Sequence, residues 1–265
     1  MYKGYQLIEG NTDEINEQLS ILDNLVANEY VIIHNSDDDT TTEMRFDGAK
    51  FVPLKLPSSK FIKGKNSLQR CCLDMLNNPE IYVCGLFGSY GSGKSFLAMQ
   101  MALYAVEEKG LQSKIIGVRE VVGAGKDIGY LPGEKESKIG DFFSPLIQNL
   151  HGGEYQYQYL KEHGKLETQI PYFMKGQTYN DAIMIVDECE DLTEKQIKLI
   201  GTRAGENTRV FFSGDYKQAE FNNSSTNPCV KMAEAFKGNR RFACIYLEED
   251  VRGETSKMFA SLFEN

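Results

Sequence analysis

Apolar residues recur along this chain in two rhythms. Near the start, Ile15, Leu19, Leu22 and Val26 fall on one helical face. Residues 1–29 therefore read as an amphipathic helix with a short lead, capped by Asn11 or Thr12. Tyr30 to His34 reads as a strand, and Asn35 to Thr42, with three consecutive aspartates, as a solvated loop. Met44 to Leu56 alternates well enough for one or two further strands around the turn signal Asp47-Gly48. From residue 66 onward the rhythm changes. Short apolar runs at 81–87, 114–118, 182–187, 209–213 and 243–247 alternate with helical patterns. Strands that carry few polar positions are buried on both faces, so the pattern predicts an α/β fold: a parallel sheet with helices on both sides. The division expected is a small N-terminal α+β lobe over 1–64 and a main domain over 65–265. Between them, Lys50 to Arg70 carries six basic residues and no acidic one. That stretch reads either as a solvated linker or as a positive rim near a nucleotide or nucleic acid.

Composition narrows the picture modestly. A net charge of −9 argues against a surface that coats nucleic acid broadly, though not against a local basic groove. Six cysteines (Cys71, Cys72, Cys84, Cys189, Cys229 and Cys244) form no C-x-x-C pair. They read as reduced, buried thiols, which places the chain in the cytoplasm. No leader and no membrane-spanning run is expected, and the three scattered histidines offer no zinc-ligand spacing.

The candidate chemistry begins where the first main strand ends. Gly88 to Ser95 reads G-x-x-x-x-G-K-S, with an apolar run before it and a Leu/Ala/Met-rich helical stretch, Lys94 to Glu108, after it. Strand, glycine loop and helix are the context a phosphate-binding loop requires. Gly88, Gly91 and Gly93 let the backbone approach an anion, and the N–H groups of the loop (Ser89, Tyr90, Ser92 and Phe96 among them) face the phosphates. Lys94 would neutralise phosphate charge and Ser95 would hold Mg²⁺ through its hydroxyl. A second signal is Ala182-Ile183-Met184-Ile185-Val186-Asp187-Glu188, an apolar run leading into paired carboxylates at a strand's C-terminal end. Asp187 would act on Mg²⁺ through water, and Glu188 would orient an attacking water, which a hydrolase needs and a kinase does not. Weaker candidates are Asp215 and Gln218 in the polar cluster after 213, which read either as a γ-phosphate sensor or as a turn, and Arg252, either a transition-state cation or a surface ion pair. Tyr155, Tyr157 and Tyr159 alternate with glutamines; packing on a helix face is favoured over a stacking platform for bases.

Taken together these motifs resemble one family, the PhoH-like ATPases, relatives of the superfamily 1 helicase motor domain. The similarity covers roughly residues 64–265. Asn66 to Gln69 resembles the family's adenine-contacting motif, and Gly88 to Ser95 its phosphate loop. Arg119 and Ile128 to Gly133 resemble the segment between the nucleotide motifs. Met174 to Asp181 running into Asp187-Glu188 resembles its most diagnostic block. Thr202-Arg203-x-Gly205-Glu206, Gly214-Asp215 with Gln218, and Asp250-Val251-Arg252 resemble the remaining motifs. Departures are Lys175-Gly176-Gln177 for the usual Arg-Gly-Arg, Cys189-Glu190 for Ala-Gln, and Ser95 for Thr.

The resemblance implies a RecA-like fold with strand order 114–118, 182–187, 209–213, 81–87, 243–247, and ATP/ADP with Mg²⁺ as cofactors. It also implies a homohexameric ring in which Arg252 or Arg203, in cis or in trans, meets the γ-phosphate. The leading expectation is ATP hydrolysis coupled, in a helicase-like way, to single-stranded RNA or DNA. A rival class is an oligomeric switch acting on a protein partner, which the acidic charge and Glu190 favour. A small-molecule kinase is the third reading, opposed by Glu188.

Overall fold

The computed structural model describes residues 2–89, 91–120, 143–215 and 226–248. Its first 53 residues build a four-stranded sheet from β1 (Tyr5–Gly10), β2 (Tyr30–Asn35), β3 (Thr40–Phe46) and β4 (Phe51–Pro53), in that spatial order. β1 and β2 run parallel and the other pairs antiparallel. This corrects the expected single helix over 1–29. Its lead is a strand, and the helix, α1, is only Thr12–Ser20, with Asn11 and Glu14 forming a capping box. Asn24 and Asn28 adopt positive φ, which the helix cannot accommodate. Leu22 and Leu25 nevertheless pack beside Ile8, Ile15 and Val31. Val26, the last position of the expected helical face, packs instead against the core of the larger sheet. β3 also begins at Thr40, inside the stretch expected to be loop.

The larger sheet has six parallel strands: β5 (Val83–Gly88), β6 (Lys114–Arg119), β7 (Leu166–Gln169), β8 (Ala182–Asp187), β9 (Arg209–Gly214) and β10 (Phe242–Leu247). Their order is β10-β5-β9-β8-β6-β7, the expected order read from the other edge with β7 added. β7 has a single buried residue, so no apolar run announces it, as suits an edge strand. Alternate strand residues enter two cores. Ile115, Ile183, Ile185 and Phe211 pack under α2 (Ser67–Asn77), α3 (Lys94–Leu103), α4 (Ser144–Ile147) and α5 (Gly153–Glu162). Ile116, Met184, Val186 and Phe212 pack under α6 (Glu194–Gly201) and α7 (Pro228–Phe236). Both faces are therefore covered, the RecA-like P-loop arrangement. Tyr157 is buried on α5, whereas Tyr155 and Tyr159 are exposed.

The two sheets are tied by a buried polar hub. Asp74 of α2 accepts hydrogen bonds from Tyr30 Oη (2.8 Å), Arg45 Nε (2.9 Å) and the Lys55 backbone N–H (2.6 Å). Arg45 also donates to Asn28 Oδ1, and Asn28 Nδ2 donates to the carbonyls of Arg240 and Phe242 beside β10. Tyr30 and Ile32 sit in the same core as α2 and α3. Burial thus makes the smaller sheet a fixed support for the larger one.

Candidate active site

The chain leaves β5 through Gly88 at φ +139°, where a Cβ would lie 2.0 Å from the Leu247 carbonyl oxygen. Only glycine permits that exit. The loop is then held from two sides. Ser89 Oγ donates to the Glu248 carbonyl at 3.3 Å, and the Ser92 carbonyl accepts from Gln69 Nε2 at 2.9 Å. Gln69 Oε1 accepts from the Lys65 N–H, and Asn66 caps α2 by accepting from the Gln69 N–H. Asn66 and Gln69 therefore brace the phosphate loop from α2, and both ends of the Gln69 amide are engaged by main chain.

At the start of α3, Lys94 Nζ folds back onto the carbonyls of Gly88 (2.7 Å) and Ser89 (2.8 Å). Burial lowers its pKa, and the charges of Asp215, Glu190, Glu188 and Asp187 oppose that shift. Ser95 Oγ donates to Asp187 Oδ1 at 2.7 Å and lies 3.1 Å from Ser213 Oγ. Asp187 is almost wholly buried; burial raises its pKa, and the Ser95 hydrogen bond holds the rise in check. Glu188 follows in the left-handed region at φ +50°. Arg119, at the end of β6, reaches both carboxylates: Nη1 lies 3.4 Å from Asp187 Oδ2 and Nη2 3.3 Å from Glu188 Oε1. Glu190 is buried behind them. Burial, with the hydrogen bond and charge of Glu188, pushes its pKa up to about 8. It is a neutral carboxyl at neutral pH, able to donate as well as accept, as glutamine would.

These groups share a cavity of about 350 Å³, walled by Gly91 and Gly93 to Phe96, by Asn149, by the carboxylates and by Ser213 to Asp215. It lies off the C-terminal ends of β5, β8 and β9, where parallel sheets place their ligands. Its donor set of one carboxylate and two hydroxyls, all oxygen, suits a magnesium ion that takes its remaining ligands from phosphate and water. Phe96 stands at the mouth, its ring edge-on to His151 at 6.2 Å.

Arg203, expected to meet the γ-phosphate in cis or in trans, lies away from the cavity of its own chain: its carbonyl accepts from the Tyr179 N–H and its Nη1 donates to the Gln177 carbonyl. Those partners precede β8, and Asp187 ends it. Five strand residues at ~3.3 Å each put Arg203 on the order of 16 Å from the carboxylates, out of reach in cis. Tyr90, Gln218 and Arg252 lie outside the described residues, as do Ile128 to Gly133. Among residues given no role from sequence, Arg119 and Ser213 prove central. Arg119 was noted only as part of the segment that resembles the family's stretch between the nucleotide motifs; its partnership with Asp187 follows from the β6–β8 register, which pairs the two directly.

Comparison with known proteins places these features in context. Residues 61–264 match the family described as "PhoH-like protein". The chain is 31% identical over 210 residues to Protein PhoH2 of Bacillus subtilis, covering 76% of this chain and 47% of that protein. It is 34% identical over 190 residues to Protein PhoH of Escherichia coli K12, covering 69% and 53%. Against the PhoH-like protein of B. subtilis it is 32% identical over 197 residues, covering 74% and 61%. The chain thus spans about half the length of the first of these relatives. Among solved structures, the Pif1 helicase of Candida albicans aligns at 14% identity and a TM-score of 0.38, covering 76% of this chain and 43% of that one. No helix among the described residues is long and apolar enough to cross a membrane.

Proposed function

Taking as premise that the chain belongs to the PhoH-like family, we propose that it is a magnesium-dependent ATP hydrolase whose cycle acts on single-stranded RNA or DNA. The observation that carries this reading is Glu188, set beside Asp187 in the cavity that the phosphate loop opens into. A phosphoryl transfer to water needs a group to orient that water, and Glu188 is the exposed carboxylate of the pair. In the proposed reaction the loop N–H groups and Lys94 bind the β- and γ-phosphates. Lys94 exchanges its present carbonyl partners for phosphate oxygens. Ser95 directly and Asp187 through water would hold magnesium, which would supply charge neutralisation and orientation of the phosphates. Glu188 accepts hydrogen bonds from the attacking water, and ADP and phosphate leave. A ring of subunits would bring Arg252 or Arg203 of a neighbour to the site.

Phosphate release from ATP by wild type and by Glu188→Gln, each with and without single-stranded RNA, tests the reading. The expected result is a loss of at least about 100-fold in the variant and stimulation of wild type by RNA. Equal rates in the two proteins would show that Glu188 does not serve the reaction. A second reading, an ATP-driven switch acting on a protein partner, is favoured by the net charge of −9. Hydrolysis lost in the variant yet indifferent to RNA and DNA at low salt would move the assignment there.

A further inference from the structure

We propose that Arg119 is the positioning residue of the carboxylate pair, and that it competes with the divalent cation for Asp187. The inference rests on the reading of the cavity as a hydrolytic ATP site. Three observations carry it. First, the register of β6 on β8 sets Arg119 directly opposite Asp187, so the guanidinium arrives from the neighbouring strand rather than from a loop. Second, its two terminal nitrogens are divided between consecutive residues, Asp187 Oδ2 and Glu188 Oε1. A planar fork can span two carboxylates in this way; an ammonium cannot fix both directions at once. Third, Glu188 sits at φ +50°, a conformation that costs energy for a residue with a Cβ and persists only where neighbours hold it. The Arg119 end of β6 is itself anchored, because the adjacent Glu120 carboxylate accepts from Gln196 Nε2 of α6.

The arrangement has two consequences of opposite sign. Asp187 faces Ser95 with Oδ1 and Arg119 with Oδ2. A cation entering on the Ser95 side must therefore share the carboxylate's charge with the guanidinium. Removing Arg119 strengthens divalent binding. The same removal releases Glu188 from its tether and slows hydrolysis. A residue that merely supported the fold would weaken both.

The test uses the full chain with Arg119→Gln and Arg119→Lys. Mn²⁺ binding to nucleotide-free protein is read from the electron paramagnetic resonance of free Mn²⁺, counting only the binding that Asp187→Asn abolishes. Thermal melting and kcat and KM for ATP are measured alongside. For Arg119→Gln we expect Mn²⁺ affinity to rise about tenfold and kcat to fall at least about tenfold, with KM for ATP within about threefold of wild type. For Arg119→Lys we expect near-wild-type Mn²⁺ affinity with a similar fall in kcat. Unchanged or weaker Mn²⁺ binding in an Arg119→Gln protein that melts like wild type overturns the proposal, as does an unchanged kcat in either variant. If Arg119→Gln does not fold, Arg119→Lys decides, and a wild-type kcat there refutes the idea. A wild type that hydrolyses no ATP would defeat the proposed function, while the Mn²⁺ measurement would still judge Arg119.

Discussion

Replacing Glu190 by glutamine should remove a pH dependence from the stability of the fold. The side chains are nearly isosteric, and glutamine keeps a donor for Glu188. Glu190 holds its proton to about 8 in the folded chain against an ordinary 4.5. Below pH 4.5 both folded and unfolded carboxyls are protonated, so pH has no leverage through this group. Between 4.5 and 8 the folded chain carries a proton that the unfolded chain has lost. Stability therefore falls as pH rises, by about 1.4 kcal/mol for each pH unit, until the folded carboxyl also ionises. From pH 5.5 to 8.5 the wild type should lose roughly 3 kcal/mol that Glu190→Gln keeps, or about 6–12 °C in melting temperature for a chain of this size. Urea titrations of both proteins at those two pH values, without nucleotide or metal, measure the difference. Titrating groups that do not feel the charge of Glu190 are common to the two proteins and cancel. A stability gap that stays constant across pH would show that Glu190 is ionised in the fold and would end the argument.

Two further substitutions test how the sheets are held. Arg209 is buried and, among the described residues, has no carboxylate partner; it donates to the carbonyls of Ile81 (2.9 Å), Leu76 (2.7 Å) and Asn78 (3.0 Å) around the C-terminal end of α2, where helix polarity favours a cation. Arg209→Met should cost about 3–5 kcal/mol in chemical denaturation by leaving those carbonyls unpaired, and a cost below about 1 kcal/mol would mean that water replaces the guanidinium freely. Asp74→Asn leaves the buried Arg45 without its counter-charge and should cost about 3 kcal/mol or more, whereas a near-neutral result would show that the two sheets do not depend on this hub.

What was legible in the sequence follows from where burial is two-sided. β5, β6, β8, β9 and β10 are buried almost throughout, so each announces itself as an apolar run. β1 and β7 each have a single fully buried residue and left no such trace. The phosphate loop was legible because its chemistry is local: glycines, lysine and serine act within eight residues. Arg119 was not, because its meaning depends on a strand pairing across 68 residues. Gln69 shows the same limit. Its motif suggested a base contact, yet its amide spans the Lys65 N–H and the Ser92 carbonyl, a tie visible only once α2 is docked beneath the loop. For Arg203 the motif left cis and trans open, and the length of β8 puts the cis choice out of reach.

One electrostatic problem links the site's separate features. Four carboxylates, Asp187, Glu188, Glu190 and Asp215, line the cavity, and two cations, Lys94 and Arg119, sit against them. Crowding and burial leave the cluster more negative than a triphosphate tolerates, and the protein answers in two ways. Glu190 is pushed toward its protonated form by burial and by Glu188. Arg119 spreads its charge over the two carboxylates that must stay ionised, one to hold metal and one to orient water. In the proposed reaction a divalent cation would supply positive charge that both the phosphates and the carboxylates they approach can use. Lys94, with its charged form already disfavoured by burial, is stabilised by the phosphates it then meets. In the proposed reaction, the carboxylate cluster that opposes bare nucleotide would thus be the feature that couples metal binding to phosphate binding.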